Sequence, residues 1–423
     1  MERLELFPDS AGVDGSELTL GGARASALAE EFGTPLIVYC ERTLRERARE
    51  YRDAAPDALV VYGAKAFPNV AVMRLLVEEG LGADVSTLGE LAYAAEAQVP
   101  AERLVVHGNN KSDEELRAAA EAGAGLVVLD ALDEIERAAA AGVGRVLVRV
   151  TPGIEARTHE AIKTAHHGSK FGLPPAAAIE AVRAARDASL DAAGLHLHIG
   201  SQLVDTAAAE AAIDWLADFA AECRSELDWS PAVVNLGGGL GISYVEDERA
   251  PRPRDFVRTL LGQLVRAWQS HDLPRPSLAL EPGRSLVGEA ACTLYRVGVV
   301  KEATPEKTWV AIDGGMSDNP RPQLYGARYT ALLANRADAQ PERDFSVCGK
   351  HCESGDVLID RVALPRPRRG DVLAVPATGA YTLGMGSNYN GVPRPAAILV
   401  AEGEARLIRR RETIEDLLSL EAG

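Results

Sequence analysis

ALVVYGAKAFPNVAVMRLLVEEG, residues 58–80, contains the unit from which the fold is read. Its first six residues form a short apolar run without polar alternation, as in a strand buried on both faces. A turn carrying Lys65 follows. Residues 69–79 then place apolar side chains at i, i+3 and i+4, the spacing of an amphipathic helix. One strand, one turn and one helix are thus written in 23 residues.

The same grammar recurs on both sides of this stretch. Apolar runs at 58–63, 81–85, 103–107, 125–130, 146–150, 193–198, 233–236 and 277–281 alternate with helical patterns, clearest at 69–79, 112–122, 175–186, 207–227 and 255–270. Ser112 followed by Glu115 predicts a capping box, and Asp205 or Thr206 a cap for the long helix after it. The Ala-rich tracts at 118–124 and 138–141 read as packed helix, alanine being the best helix former. Eight alternations with short loops predict an α/β fold, a closed (β/α)8 TIM-type barrel rather than an open doubly wound sheet.

From about residue 289 the pattern changes. β-Branched runs at 293–300, 309–312, 357–359, 372–375 and 397–400 are separated by Pro, Gly and charged turns, which predicts a second, mostly antiparallel β domain. Residues 4–20 are strand-like but too short to fold alone, and are expected to join that domain because chain ends often lie close together. The expected division is a barrel over 32–284 and a β domain built from 1–31 and 285–423.

Composition narrows the function. The chain has 423 residues, enough for two to three domains, and its 47% hydrophobic and 25% charged content is that of a globular protein. Sixty-two acidic against 45 basic residues leave a net charge of −17, which offers no cationic face to nucleic acid or to an anionic membrane. Five cysteines, Cys40, Cys223, Cys292, Cys348 and Cys352, are too few and odd in number for a disulfide framework, which points to a reducing compartment. The opening MERLELFPDS has neither basic flank nor apolar stretch, and no apolar run of about 18 residues occurs, so a cytoplasmic protein is expected.

In such a barrel, reactive groups collect where the βα loops converge, at the C-terminal ends of the strands. Lys65 follows the first run, Asp84 and Ser86 the second, and HGNNK (107–111) the third. The sixth ends in HLHIGSQ with His198 and Ser201, the seventh in NLGGGLG with Gly237, Gly238 and Gly239, the eighth in EPGR with Glu281 and Arg284. With only 7 lysines in the chain, candidate amine nucleophiles are few. Desolvation at the end of an apolar strand lowers a lysine's pKa, and a neutral amine can attack a carbonyl to form a Schiff base. The alternative is a lysine snorkelling at the rim. Gly237–Gly239 read either as backbone N–H groups open to a phosphate or as a mobile turn. His198 can stack on an aromatic ring or be a satisfied strand-end histidine. Glu281 can hold a pyridine nitrogen protonated, making the ring an electron sink. Taken jointly, lysine, glycine loop, histidine and carboxylate point to pyridoxal phosphate.

In the β domain, CGKHCESGD (348–356) groups Cys348, His351, Cys352 and Glu353, an incomplete ligand set for which no metal is expected. A thiol beside a histidine and a carboxylate can act as a proton donor; a structural cysteine near a turn is the alternative. DGGMSDNPRPQLYGARY (313–329) and TGAYTLGMGSNYN (378–390) concentrate Arg321, Tyr325, Tyr381 and Tyr389, a polar density typical of loops that bind something.

Ten segments in order, VYGAKAFPN, ADVSTLGEL, HGNNKS, THEAIKT…SKFG, GLHLHIGSQ, NLGGGLGI, EPGR, DGGMSDNPRPQLYGARY, GKHCESGDVL and SNYNGVPRPA, resemble the diaminopimelate decarboxylases. These belong to the alanine-racemase-like, fold type III, group of pyridoxal-phosphate enzymes. The resemblance runs from about residue 30 to residue 400. EPGR and the glycine loop are shared across the wider decarboxylase group, whereas HGNNKS, NPRPxLYGARY and GKHCESGD point to the diaminopimelate branch. It implies decarboxylation of meso-2,6-diaminopimelate to L-lysine, with Lys65 carrying the cofactor covalently, His198 stacking on its ring and Glu281 pairing with the pyridine nitrogen. Ser201 and Gly237–Gly239 would contact the phosphate, and Gly283, Arg284 and Tyr381 complete the implied cofactor contacts. Arg284, Arg321 and Tyr325 are implied to hold the substrate's distal carboxylate, Glu353 its ammonium, and Tyr381 to close over both ligands. Cys352 is the implied proton donor. In this family Cys352 and Glu353 enter the site from the partner subunit, which implies an obligate homodimer.

Three positions depart from the family pattern: Phe67 where asparagine is common, Gly168 where aspartate commonly precedes SKFG, and Thr382-Leu383-Gly384 after GAY. Rival readings are a related decarboxylase acting on ornithine, arginine or a carboxylated polyamine, an amino-acid racemase, and a cofactor-binding regulator without turnover. The first leaves Arg321 unexplained, since those substrates lack a distal carboxylate, and Glu281 argues against the second.

Overall fold

The computed structural model describes residues 2–152 and 169–422. THEAIKT (158–164) and the departure at Gly168 lie outside the described residues. The chain divides into two compact units: residues 47–241 with 250–285, and residues 1–46 with 242–249 and 286–423.

The first unit is a closed barrel of eight parallel strands: Leu59–Gly63, Gly82–Val85, Leu104–Val106, Leu126–Leu129, Arg145–Arg149, Asp191–His196, Val233–Asn235 and Ser277–Leu280. Each coincides with one of the eight apolar runs. The ring closes where the last strand pairs with the first, Ala279 opposite Leu59 and Leu280 opposite Val60. Val61, Val105, Leu126, Val128, Leu147, Ala193, Val233 and Ala279 form one buried cluster, so the interior is packed with side chains rather than hollow.

The helices begin where their caps dictate. Asn69 accepts a bond from Val72 N ahead of Val70–Glu78, and Ser112 with Glu115 forms the expected capping box on Asp113–Glu121. Of the two candidates before Ala207–Leu227, Thr206 occupies the cap position without a side-chain cap bond, and Asp205 accepts from Ala207 N at 3.1 Å.

The second unit holds a nine-stranded, mostly antiparallel sheet. Along its main path run Val357–Leu364, Arg343–Cys348, Lys307–Ile312, Ala291–Thr304, Leu36–Cys40, Ala396–Ala401 and Glu404–Arg409. Leu36–Cys40 pairs antiparallel with Ala291–Thr304 and parallel with Ala396–Ala401. The division after Glu46 therefore differs from the sequence boundary at residue 32. The N-terminal strands Gly12–Asp14, Glu17–Leu20 and Ala23–Arg24 make their own three-stranded sheet. Their Leu18 and Leu20 share one core cluster with Ile398 and Val400, and Gly403 N donates to Gly21 O at 2.7 Å. The N-terminal residues thus join this unit through the core rather than through the large sheet.

Candidate active site

Within the barrel unit, the C-terminal strand ends carry a buried polar cluster. Glu281, one residue past the last strand, is 8% exposed. Its Oε1 lies 2.5 Å from His107 Nε2 and accepts from Asn235 Nδ2 at 2.7 Å, while its Oε2 lies 3.3 Å from His196 Nε2. His107 Nε2 is also 3.7 Å from Asp84 Oδ1. Burial would push the Glu281 carboxyl up, but the charges and hydrogen bonds of His107 and His196 outweigh it and hold the group well below the usual carboxylate range. Asp84 goes the other way: burial, with Glu281 nearby, pushes it up to about 6 against the pull of His107 and Lys65. Burial tends to lower His107, yet Glu281 and Asp84 raise it overall. Burial also takes His196 down to about 4, and burial together with the Lys65 charge takes His198 down to about 3.

Lys65 occupies the 3-10 turn Ala64–Ala66 directly after the first strand, between two buried alanines. The residue is exposed between them, which corrects the expectation that the strand end alone desolvates it. The amine's charge acts on Asp84, His107 and His198, which places it among the cluster's groups.

The glycine loop is shaped by close approach. Gly237 has φ +66°, and a Cβ there would come within 2.5 Å of His198 Nδ1; at Gly238 a Cβ would meet Glu281 O at 2.4 Å. Gly237 N donates to Asn235 Oδ1 at 2.9 Å, so Asn235 ties the loop to Glu281. Beyond them, Arg284 Nη2 donates to the exposed Ser201 at 3.0 Å, and Gly283 is buried beside Gly63.

In the β unit a second set assembles around Asp356. Its carboxylate accepts from Met316 N at 2.7 Å and from His351 N at 2.9 Å, joining the 313–329 and 348–356 segments. Glycine is required at both sides of this junction, since a Cβ at Gly315 would lie 2.5 Å and one at Gly349 2.1 Å from that carboxylate. Gln323 Nε2 adds bonds to Gly355 O and Val357 O at 2.9 and 3.0 Å. Arg321 is 5% exposed; its guanidinium lies 4.3 Å from the Tyr244 ring centroid and donates to Tyr329 Oη at 2.6 Å. No carboxylate pairs with it among the described residues, and its Nε has no hydrogen-bond partner there. A buried cation held only by phenols is an anion receptor in chemical terms. Tyr325 is 65% exposed, and Cys352 and Glu353 are exposed; Cys352 N donates to Asn390 Oδ1 at 2.9 Å. Glu353 lines a cavity of about 300 Å3 with Cys348, His351 and Asp356. Tyr381 sits at φ +58°, a backbone conformation that side-chain-bearing residues adopt at a cost and that often marks functional loops. Thr382 is buried and bonds to Thr378 O, and Phe67 is buried with its carbonyl accepting from Tyr62 Oη at 3.0 Å, so two of the departures from the family pattern are packed positions.

The structure thus gathers the sequence-singled residues into two groups, one in each unit. It adds His107, His196 and Asn235, which the motif reading had given no role. The period-two alternation of a strand was the available signal for His196, two residues before His198 on the same face.

Residues 41–288 match the family model described as pyridoxal-dependent decarboxylase, pyridoxal binding domain. The barrel with its lysine, glycine loop and buried carboxylate is therefore that of a pyridoxal-dependent decarboxylase. The chain is 46% identical to the diaminopimelate decarboxylase of Mycobacterium bovis, covering 98% of this chain and 96% of the relative. Identity to that of Actinosynnema pretiosum subsp. auranticum is 45%, over 98% and 95%. Among solved structures, the diaminopimelate decarboxylase from M. jannaschii in complex with L-lysine is 33% identical, with a TM-score of 0.92 over 98% of each chain. The chain belongs to the diaminopimelate decarboxylase family.

Proposed function

We propose that the protein decarboxylates meso-2,6-diaminopimelate to L-lysine and CO2 with pyridoxal 5'-phosphate as cofactor, the last step of lysine biosynthesis. The observation that carries this reading is the buried, ionised Glu281 at the strand ends that also present Lys65. The residues fit the cofactor. Lys65 supplies an amine at the strand ends to hold it, and Glu281 is an anion suited to a protonated ring nitrogen. Gly237–Gly239 and Ser201 offer a phosphate cradle that side chains would fill, beside the His198 ring. When bound, pyridoxal phosphate supplies an electron sink for the pair released as CO2 departs.

The remaining work falls to the chain's own groups. Arg321, with Arg284 and Tyr325, binds the distal carboxylate, and Glu353 takes the distal ammonium. Tyr381 covers the ligands, Gly283 and Arg284 complete the cofactor contacts, and Cys352 Sγ delivers a proton to Cα. The barrel, 32–284 in the sequence division, supplies the cofactor-binding groups, and 1–31 with 285–423 the substrate and interface residues. The active assembly is a homodimer in which Cys352 and Glu353 serve the partner's site; their exposure, with that of Leu324 at 58% and Tyr325 at 65%, supports this. The working compartment is the cytoplasm: among the described residues no helix is long and apolar enough to cross a membrane, and the free cysteines suit a reducing environment.

The test is incubation of the cofactor-loaded protein with meso-diaminopimelate, ornithine or arginine. CO2 and lysine from the first alone are expected. Turnover of ornithine or arginine in preference, or epimer without CO2, refutes the reading.

A further inference from the structure

The hydrogen bonds to Glu281 are unevenly divided between its two oxygens. A carboxylate has about four acceptor positions, two per oxygen. Oε1 is filled by His107 Nε2 at 2.5 Å, from the end of the third strand, and Asn235 Nδ2 at 2.7 Å, from the end of the seventh. Among the described residues Oε2 has only His196 Nε2 at 3.3 Å, just beyond the usual range for such a bond. One oxygen is saturated and the other keeps acceptor capacity.

His107, His196 and Glu281 also have the composition of a metal site, with ligand atoms within 4.8 Å of one another. The short contact excludes that use of this arrangement. Two ligand atoms each about 2.0–2.2 Å from a tetrahedral zinc stand roughly 3.3 Å apart, whereas His107 Nε2 and Glu281 Oε1 are 2.5 Å apart, the separation of a charge-assisted hydrogen bond. The two atoms therefore share a hydrogen bond rather than a metal ion.

We propose that His107 is a positioning residue for the decarboxylation: with Asn235 it occupies Oε1 of Glu281, leaving Oε2 to receive the N–H of the cofactor's pyridine ring. This rests on the reading of Glu281 as the ring-nitrogen partner. Three observations converge on it. His107 is 8% exposed and Asn235 fully buried, so water does not replace their bonds. Asn235 is fixed at its other end by Gly237 N, which anchors the carboxylate to the same loop that would hold the phosphate. Asp84, 3.7 Å from His107 on the side of the second strand, adds negative charge that favours a protonated imidazole, while Lys65 opposes it and His196 adds its own ring at 4.8 Å. The net balance favours the imidazolium, and an imidazolium against Glu281 favours the carboxylate.

The chemical consequence is specific. A fixed, ionised partner keeps the ring nitrogen protonated and the electron sink deep. Without His107, Glu281 loses its strongest donor, and it can take up a proton or rotate Oε2 away.

The test uses the holoenzyme reconstituted with pyridoxal phosphate labelled with 15N in the ring, read by the 15N chemical shift. Glu281→Gln calibrates the unprotonated state. The wild type and His107→Gln, which keeps an N–H donor, are expected to show a protonated ring nitrogen; His107→Phe is expected to move toward the Glu281→Gln position. Its kcat should fall tenfold to a hundredfold, roughly the range seen when an outer partner of a metal ligand is lost, with little change in KM. Should phenylalanine prevent folding, His107→Ala with the same readout carries the test. A ring nitrogen that stays protonated in His107→Phe or His107→Ala but not in Glu281→Gln overturns the proposal alone. One that stays protonated in Glu281→Gln overturns the assignment of Glu281 and this proposal with it.

Discussion

Lys111 Nζ lies 2.7 Å from Glu134 Oε1, and both side chains are buried, at 1% and 5% exposure. The same ammonium donates to Gly108 O and Val128 O, each at 2.7 Å, so all three of its protons are spoken for. Two lysines thus stand after barrel strands with opposite exposure, Lys111 buried and Lys65 at the surface. Lys111→Met is expected to lower the free energy of unfolding by about 3–5 kcal/mol, because Glu134 is left as an uncompensated buried charge, while the visible absorbance of the loaded protein survives. Lys65→Ala is expected to do the reverse, losing both the absorbance and the activity and keeping the fold. Urea titration and an absorbance spectrum before and after borohydride separate the two. Retained absorbance in Lys65→Ala would move the aldehyde to another amine.

The proposed sharing of sites between subunits makes an arithmetic prediction. Lys65→Ala is expected to be inactive, and Cys352→Ala to keep the cofactor but turn over slowly. When equal amounts are unfolded and reassembled together, half the dimers are mixed. In each of these one site carries both defects and the other neither, so about a quarter of wild-type activity should return. Activity no greater than the mean of the two parents places Lys65 and Cys352 of one site on the same chain.

The proposed role of Arg321 in substrate recognition is open to a direct test. Replacing it with methionine removes the cation that would otherwise bind the distal carboxylate. The loss in kcat/KM for meso-diaminopimelate is expected to be on the order of 10^3 to 10^4, as for a site that loses a required polar partner. The affinity for pyridoxal phosphate should be unchanged. Steady-state kinetics alongside cofactor titration checks both, and a loss below about tenfold removes Arg321 from recognition.

Asp318 carries a pH signature. Burial pushes its carboxyl up to about 7, against the Tyr295 hydroxyl and the Gly315 N–H that bond to it. The folded state therefore retains a proton that the unfolded chain gives up near pH 4. That stabilisation is fully present below about pH 4 and is lost as pH rises through about 7. Measured against Asp318→Asn, the wild type should lose up to about 4 kcal/mol of relative stability across this window. A difference that is flat from pH 4 to 8 rules the shift out.

The barrel was legible because a strand buried on both faces is apolar throughout, and eight such runs with helices between them have few other solutions. LIVYC, residues 36–40, shows the limit: it reads like any barrel strand, and only its pairing with Ala291–Thr304 and Ala396–Ala401 assigns it elsewhere. RDFSVC, residues 343–348, was missed since its apolar residues alternate with a charge and a serine, yet it pairs parallel to Lys307–Ile312. For the site, motifs singled out Lys65, Glu281 and the glycine loop, residue types that the proposed chemistry requires. His107 and Asn235 were passed over because their role is to hold Glu281, and a residue that acts through another leaves no reaction of its own to infer.

One carboxylate, that of Asp356, is the common fastener for the segment bearing Arg321 and the segment bearing Cys352 and Glu353. Specificity in this scaffold is for that reason not modular. A chimera that imports either segment alone from an enzyme of different taste inherits half a joint, with glycines cut to fit a carboxylate that is no longer opposite them. New preferences must arrive with both segments exchanged together, or by point changes that leave the joint intact.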